Sequence, residues 1–306
     1  MTTFVFGHKA PDTDATGSAI IWAWYLTEVR GTPAEPKLLG EPNTEALFVL
    51  DRWSLDKPAI IEDVEAGQAV VVVDTNNVAE LPTSINEADV QEVIDHHLLQ
   101  GGLNTKSPIS ITVRPVACTA TILYDLMGAD AARMPDNIKG TMLSCILSDT
   151  LEFRSPTTTS IDRDLALKLA AELGLDASAL ASEMFAAKSD VSTYSETELL
   201  RMDSKLYEVD GTKFRVSTLE TTTPDTVLSR KAALLNDMAK VATEDGVDHV
   251  LFFVVDILNE EATLLIQDDA VRAIASKSFD AAPSGDTLVL PGVVSRKKQM
   301  IPAIKV

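Results

Sequence analysis

The chain holds four histidines, and three of them stand beside aspartates in two short stretches, GHKAPDTD at 7–14 and DHH at 95–97. His8, Asp12 and Asp14 supply one imidazole and two carboxylates within seven residues. Asp95, His96 and His97 supply a carboxylate and two imidazoles in a row. Adjacent histidines point in different directions, so one can bind a cation while the other faces a substrate. The acid before them can orient a ring. Two further acids end regular-looking runs, Asp74 in VVVVDTNN and Asp149 in SDTLEF. Imidazole and carboxylate without thiolate suit Mn2+ or a similar ion better than a soft metal. Two such ions about 3.5–4 Å apart are a standard apparatus for phosphoryl hydrolysis. Plainer uses stand beside this one. Asp12 and Asp14 also suit a helix N-terminus, Asp74 a turn, and DHH a polar surface turn. Asp149 falls at a helix C-terminus, where an acid opposes the dipole, which points to a cationic partner.

These residues need elements to hold them. Thr3–Phe6, Ala69–Val73 and Val90–Ile94 read as buried strands, because continuous apolar runs mark strands covered on both faces. Helices are expected at Ser18–Val29, with its start near Thr16, and at Ala117–Leu126, Asn137–Leu147, Ile161–Leu173 and Ala177–Phe185. Strands spaced by helices imply right-handed βαβ units and an open parallel sheet. Ligands of such sheets bind at the carboxyl ends of the strands, so His8, Asp12, Asp14, Asp74, Asp95, His96 and His97 should share one rim.

The stretch AAKSDVSTYSETE at 186–198 turns polar. The expected organisation is a metal-binding domain at 1–187, a linker at 188–196 and a second domain at 197–306. The second domain should contain a strand at Lys213–Leu219, a helix at Asp225–Thr243, and a hairpin from His249–Ile257 to Thr263–Gln267. His249 reads as structural. The basic burst Ser295-Arg296-Lys297-Lys298 reads either as a solvated tail or as an anion site. The fold class is α/β: an amino-terminal parallel sheet with helices on both faces, and a smaller carboxy-terminal α/β domain with a mixed sheet.

Bulk numbers limit the partners. Formal net charge is −20 and the pI about 4.5, which opposes non-specific binding to nucleic acid or anionic membranes. A local cationic cluster or a metal still admits a small anion. Two cysteines give no disulfide framework and no CxxC zinc site. No signal peptide or membrane span is expected, since a span needs about 20 apolar residues. A cytoplasmic location is the expectation.

GHKAPDTD, VVDTNN, DHH, SDT and SRKKQ occur in the order and approximate spacing found in family II inorganic pyrophosphatases. The chain therefore resembles that family, the manganese-dependent soluble enzymes of the DHH phosphoesterase superfamily. The resemblance implies hydrolysis of inorganic pyrophosphate to two phosphates by a metal-bridged hydroxide in a binuclear Mn2+ site at an interdomain cleft. His8, Asp12 and Asp74 would hold one ion. Asp14, Asp74, His96 and Asp149 would hold the other, with Asp74 bridging. His97 would face the substrate phosphate, and Lys205, Arg296 and Lys297 of the second domain would neutralise its oxygens. Co2+ or Mg2+ could substitute for Mn2+, and Mg2+ would enter with the substrate. A homodimer through the amino-terminal domain is implied. Ala10 stands where family members often have Asn, which removes a loop hydrogen bond but no ligand. Only twenty residues separate Asp74 from Asp95, so no regulatory nucleotide-binding insert is expected there. The rival readings are a DHH phosphoesterase acting on short oligonucleotides or polyphosphate, and a non-catalytic metal-binding protein. The first usually carries a GGGH-type motif, which is missing here. The second would show a broken ligand set.

Overall fold

The computed structural model describes residues 2–189, 191 and 194–306. They form two compact units, Met1–Ala187 and Lys188–Val306.

The first unit is built on six strands: β1 (Thr3–Phe6), β2 (Ala34–Leu38), β3 (Ala59–Ile60), β4 (Ala69–Val73), β5 (Asp89–Asp95) and β6 (Ser110–Val113). All pair in parallel, in the order β3-β2-β1-β4-β5-β6. The central β4, Ala-Val-Val-Val-Val, is buried at every residue. Its β-branched side chains fit a pleated surface covered on both sides. The order reverses between β1 and β4, and such a switch point leaves a crevice at the carboxyl ends of the strands. His8 follows β1 by two residues and Asp74 follows β4 directly.

Helix α1 (Thr13–Trp24) begins three residues before the expected start near Thr16, because Asp12 caps it by accepting from the Ala15 amide at 2.9 Å. It is buried from Thr13 to Ala23, as suits a helix inside the unit rather than on its surface. It packs against α3 (Thr119–Met127) and α4 (Asp136–Asp149). At Gly17 a Cβ would overlap Cys145 Sγ on α4, so glycine is what lets the two helices approach. The unit is completed by α2 (Thr44–Arg52), α5 (Ser160–Leu173) and α6 (Ala177–Ser189). Residues 190, 192 and 193 of the expected linker lie outside the described residues.

The second unit opens with α7 (Glu196–Arg201). Its sheet comprises β7 (Ser204–Val209), β8 (Thr212–Thr221), β9 (His249–Asp256), β10 (Glu261–Leu265) and β11 (Thr287–Pro291), in the order β11-β10-β9-β8-β7. Only β8 and β9 pair in parallel; the other neighbours are antiparallel, so this sheet is mixed. Its core gathers Leu199, Leu200, Leu219, Leu234, Met238, Val250 and Phe252. The single helix expected at Asp225–Thr243 is instead two, α8 (Pro224–Leu228) and α9 (Lys231–Asp245). At the break, the Arg230 guanidinium donates to the carbonyls of Val191 (3.3 Å) and Tyr194 (2.7 Å) and to Glu196 Oε1 (2.8 Å). That anchoring outweighs continuation of the helix. His249 opens β9, its ring 5.8 Å from that of Phe214. Among the described residues no helix is long and apolar enough to cross a membrane.

Candidate metal centre

Asp74 sits at the middle of the rim. It is 1 % exposed and lies at φ 58°, a left-handed conformation that a non-glycine residue holds only when its surroundings fix it. Here its own amide donates to Ile94 O at 2.9 Å, and Thr119 Oγ1 donates to its Oδ1 at 3.0 Å. The two carboxylate oxygens face different partners. Oδ2 lies 3.5 Å from His8 Nε2, which is also 3.6 Å from Asp12 Oδ2. Oδ1 lies 3.3 Å from His96 Nε2, which is 3.9 Å from Asp149 Oδ2. The plainer reading of Asp12 also holds, since one oxygen caps α1 while the other faces His8.

Among the described residues three overlapping groups have the spacing for a cation, His8–Asp12–Asp74, Asp14–His96–Asp149 and Asp74–His96–His97, the candidate ligand atoms of each lying within 4.8 Å of one another. The ring hydrogen bonds of His96 and His97 separate their roles. His96 Nδ1 donates to Val116 O at 3.1 Å, which leaves the lone pair of the neutral ring on Nε2, toward Asp74 and Asp149. His97 Nδ1 lies 2.8 Å from Asp95 Oδ1. That carboxylate also accepts the amides of His96 and His97, so the ring nitrogen facing it is the donor, and Nε2 is the nitrogen turned elsewhere. Burial raises Asp95, but the His97 hydrogen bond together with the charges on His97 and His96 outweighs it and holds the acid below its usual range.

Without a cation the cluster is electrostatically crowded. Burial, followed by the charge on Asp74, pushes Asp14 up to about 7. Burial and then the charge on Asp14 push Asp149 well above the carboxylate range. Burial works against a charged His8, yet Asp12 and Asp74 push it up to about 10. Asp149 Oδ2 is buried and finds no hydrogen-bond partner among the described residues. A buried oxygen of this kind calls for an explanation, and a divalent cation supplies one. The oxygen and nitrogen donors fit two ions of the Mn2+ type.

Other side chains hold this set in place and carried no signal in the sequence. Asp14 accepts from Ser18 Oγ (2.7 Å) and from the amides of Thr119 (2.6 Å) and Ala120 (3.2 Å), which open α3. Asn76 binds Asp95 through its amide group and accepts the Gln100 amide at 2.6 Å, tying the stretch after β5 to the one after β4. Asp162 accepts from the Ala117 amide (3.1 Å) and Thr121 Oγ1 (2.8 Å). Past Asp149, the consecutive residues Leu151, Glu152 and Phe153 all have positive φ, of 49°, 52° and 71°. Three side chains in that region mark a strained turn next to the cluster.

The remaining expected site residues lie in the second unit. Arg296 opens a π-helical turn, Arg296–Met300, capped by Ser295. Gln299 folds back to accept the amides of Val294 and Ser295, both at 2.9 Å, which shapes the SRKKQ turn. Arg296 Nη2 donates to Asp203 Oδ1 at 2.7 Å and Nη1 to Thr218 Oγ1 at 3.2 Å. Asp203 stands two residues before Lys205 on β7, so this bond ties the segment of Lys205 to that of Arg296 and Lys297.

Comparison with known proteins bears on what this arrangement is. The DHH family N-terminal domain matches residues 2–149, and the DHHA2 domain matches residues 182–306. The Deinococcus radiodurans "Probable manganese-dependent inorganic pyrophosphatase" is 40 % identical over 306 residues, covering 98 % of this chain and 97 % of that one. The chain belongs to the manganese-dependent inorganic pyrophosphatases. A family member from Bacillus licheniformis is 36 % identical over 301 residues, covering 98 % and 96 % of the two chains. A crystal structure from Methanococcus jannaschii, assigned to the family II inorganic pyrophosphatases, superposes with a TM-score of 0.85 at 31 % identity, over 99 % of this chain and 98 % of that one. An exopolyphosphatase-related protein from Bacteroides fragilis, 13 % identical with a TM-score of 0.51, shares the fold alone.

Proposed function

We propose that this chain hydrolyses inorganic pyrophosphate to two phosphates at a centre holding two Mn2+ ions. The observation that carries the reading is Asp74, whose two oxygens face two separate histidine–carboxylate groups. His8, Asp12 and Asp74 would hold one ion, and Asp14, Asp74, His96 and Asp149 the other. When bound, such ions neutralise phosphate oxygens and lower the pKa of water toward neutrality.

The chain's own groups account for the rest. His97, as an imidazolium paired with Asp95, would give its Nε2 proton to the departing phosphate and keep its Nδ1 proton on Asp95, becoming neutral. Arg296 grips two phosphate oxygens with its planar fork, and Lys205 and Lys297 act as point charges on the oxygens that gain negative charge. Asp203 fixes the plane of the Arg296 guanidinium before substrate arrives. Magnesium enters with pyrophosphate, because it binds phosphates with few protein ligands.

The working state is a homodimer through the first unit. Its support is the sheet edge at β6, where Ile111 is 58 % and Val113 38 % exposed. Apolar side chains on an open strand edge favour pairing with another chain. An Ile111→Lys variant that stays dimeric by light scattering would remove that support.

The test of the activity is phosphate release after loading with Mn2+, run beside EDTA-stripped protein and a short oligonucleotide. Fast, EDTA-sensitive release from pyrophosphate alone is expected. Trimming of the oligonucleotide with slow pyrophosphate cleavage would overturn the substrate assignment.

A further inference from the structure

We propose that Glu45 is a positioning residue of the metal centre, a role that rests on the two-ion reading above. Glu45 lies in the first turn of α2 and is fully buried. Its Oε2 accepts two hydroxyls, Thr13 Oγ1 at 2.8 Å and Ser148 Oγ at 2.6 Å. Thr13 stands between Asp12 and Asp14, and Ser148 immediately precedes Asp149. One carboxylate oxygen therefore joins the two segments that carry three of the six candidate ligands, across sequence separations of 32 and 103 residues.

Nothing in packing alone asks for an acid here. A buried carboxylate is costly unless it is well hydrogen-bonded, and an apolar residue of similar volume would fill the space more cheaply. The acid does what an apolar residue cannot: it accepts from both hydroxyls at one point and so fixes the distance between the start of α1 and the end of α4. The neighbouring contacts run the same way. The Asn43 amide, at the cap of α2, donates to Pro11 O at 3.2 Å in the first motif. Cys145 Sγ donates to Thr13 O at 3.3 Å, from α4. Helix α2 thus braces the start of α1, with Asp12 and Asp14, against the helix of Asp149, and Glu45 is the member of that brace that touches both.

Removing a residue that orients metal ligands typically weakens metal affinity about 10–100-fold. Four variants separate positioning from folding: Glu45→Ala, Glu45→Gln, Thr13→Val and Ser148→Ala. Each metal-stripped protein is titrated with Mn2+ by calorimetry, its Tm is recorded, and the Mn2+ needed for half-maximal turnover of pyrophosphate is measured. Glu45→Ala should weaken Mn2+ binding by that 10–100-fold and raise the half-maximal Mn2+ by the same factor, with kcat at saturating Mn2+ close to wild type. Glu45→Gln keeps a carbonyl acceptor at the same reach and should restore affinity to within about 3-fold. Ser148→Ala should weaken the ion on the Asp14–His96–Asp149 side and leave the first ion unchanged.

Wild-type Mn2+ affinity in Glu45→Ala, whatever its Tm, would overturn the proposal. Should that variant fail to fold, wild-type affinity in both Thr13→Val and Ser148→Ala would overturn it equally. A wild-type chain that binds Mn2+ but leaves pyrophosphate intact would defeat the activity and not the brace. A wild-type chain that binds no Mn2+ would defeat the two-ion reading itself.

Discussion

Loading the centre with metal should release protons, and their number follows from the groups at the rim. A ligand offers its lone pair only after losing its proton, so metal binding competes with protonation. At pH 7 in the metal-free protein, His8 at about 10 carries one proton. Asp149, held well above its usual value by burial and the charge on Asp14, adds to that count. Asp14 at about 7 carries roughly half of one. Asp12 and Asp74 lie below the usual carboxylate range and carry none. Filling both sites at pH 7 should therefore release at least about one and a half protons, and the affinity must rise with pH. Going from pH 7 to pH 6, the product of the two association constants should fall by at least about 30-fold, or roughly 2 kcal/mol at 1.36 kcal/mol per pKa unit. The assay is calorimetric titration with Mn2+ in buffers of different ionisation enthalpy, where the slope of observed heat against buffer heat counts protons. A slope near zero with a pH-independent affinity would refute the crowding argument. Asp14→Asn should lower the count by at least about half a proton, because the charge on Asp14 also raises Asp149, and leave the contribution of His8.

Three other outcomes are expected. Asp74→Ala should lose bound Mn2+ and activity together, each by more than the roughly 100-fold that loss of a supporting residue costs; elemental analysis showing two retained ions would disprove the bridging role. Lys297→Ala should keep its metals and lower kcat about 10²–10³-fold, the usual effect of removing one charge-stabilising group, and undiminished turnover would remove Lys297 from the site. Gly17→Ala places a Cβ against Cys145 Sγ and 3.0 Å from Thr141 Cγ2. It should cost about 1–3 kcal/mol by overpacking and lower Tm by roughly 3–10 °C. Cys145→Ala in the same chain should recover part of that loss, and strictly additive effects in calorimetry would show that the two side chains do not meet.

The parts of this molecule that the sequence announces are those whose reasons are local. Continuous valines before Asp74 and the apolar run before Asp95 identify buried parallel strands, and a parallel sheet in turn places strand-end acids and histidines on one rim. Edge elements are quieter. β2 reads Ala-Glu-Pro-Lys-Leu and β3 has two residues, both exposed, so neither shows an apolar run. β6 alternates weakly because it lies at the edge. The helix break at Ser229–Arg230 depends on carbonyls 36 and 39 residues before Arg230. The supports of the centre are the least legible. Glu45, Thr119 and Asp162 are ordinary residues in sequence, and their partners at the centre lie 32 to 105 residues away.

The strand order has a consequence for how the chain comes into being. β1 pairs with β2 on one side and with β4 on the other, so Thr3–Phe6 leaves the ribosome long before Ala69–Val73 exists to cover its second edge. The candidate ligands run from His8 to Asp149, a span of 141 residues. At about 5–20 residues per second, synthesis of that span takes roughly 7–28 s. During that time a strand edge and a run of valines stand uncovered, and no nascent fragment holds the full ligand set. Completion of the second metal group is therefore a late event in the biosynthesis of the first unit, and a nascent chain stalled before residue 149 should bind fewer Mn2+ ions than the finished chain.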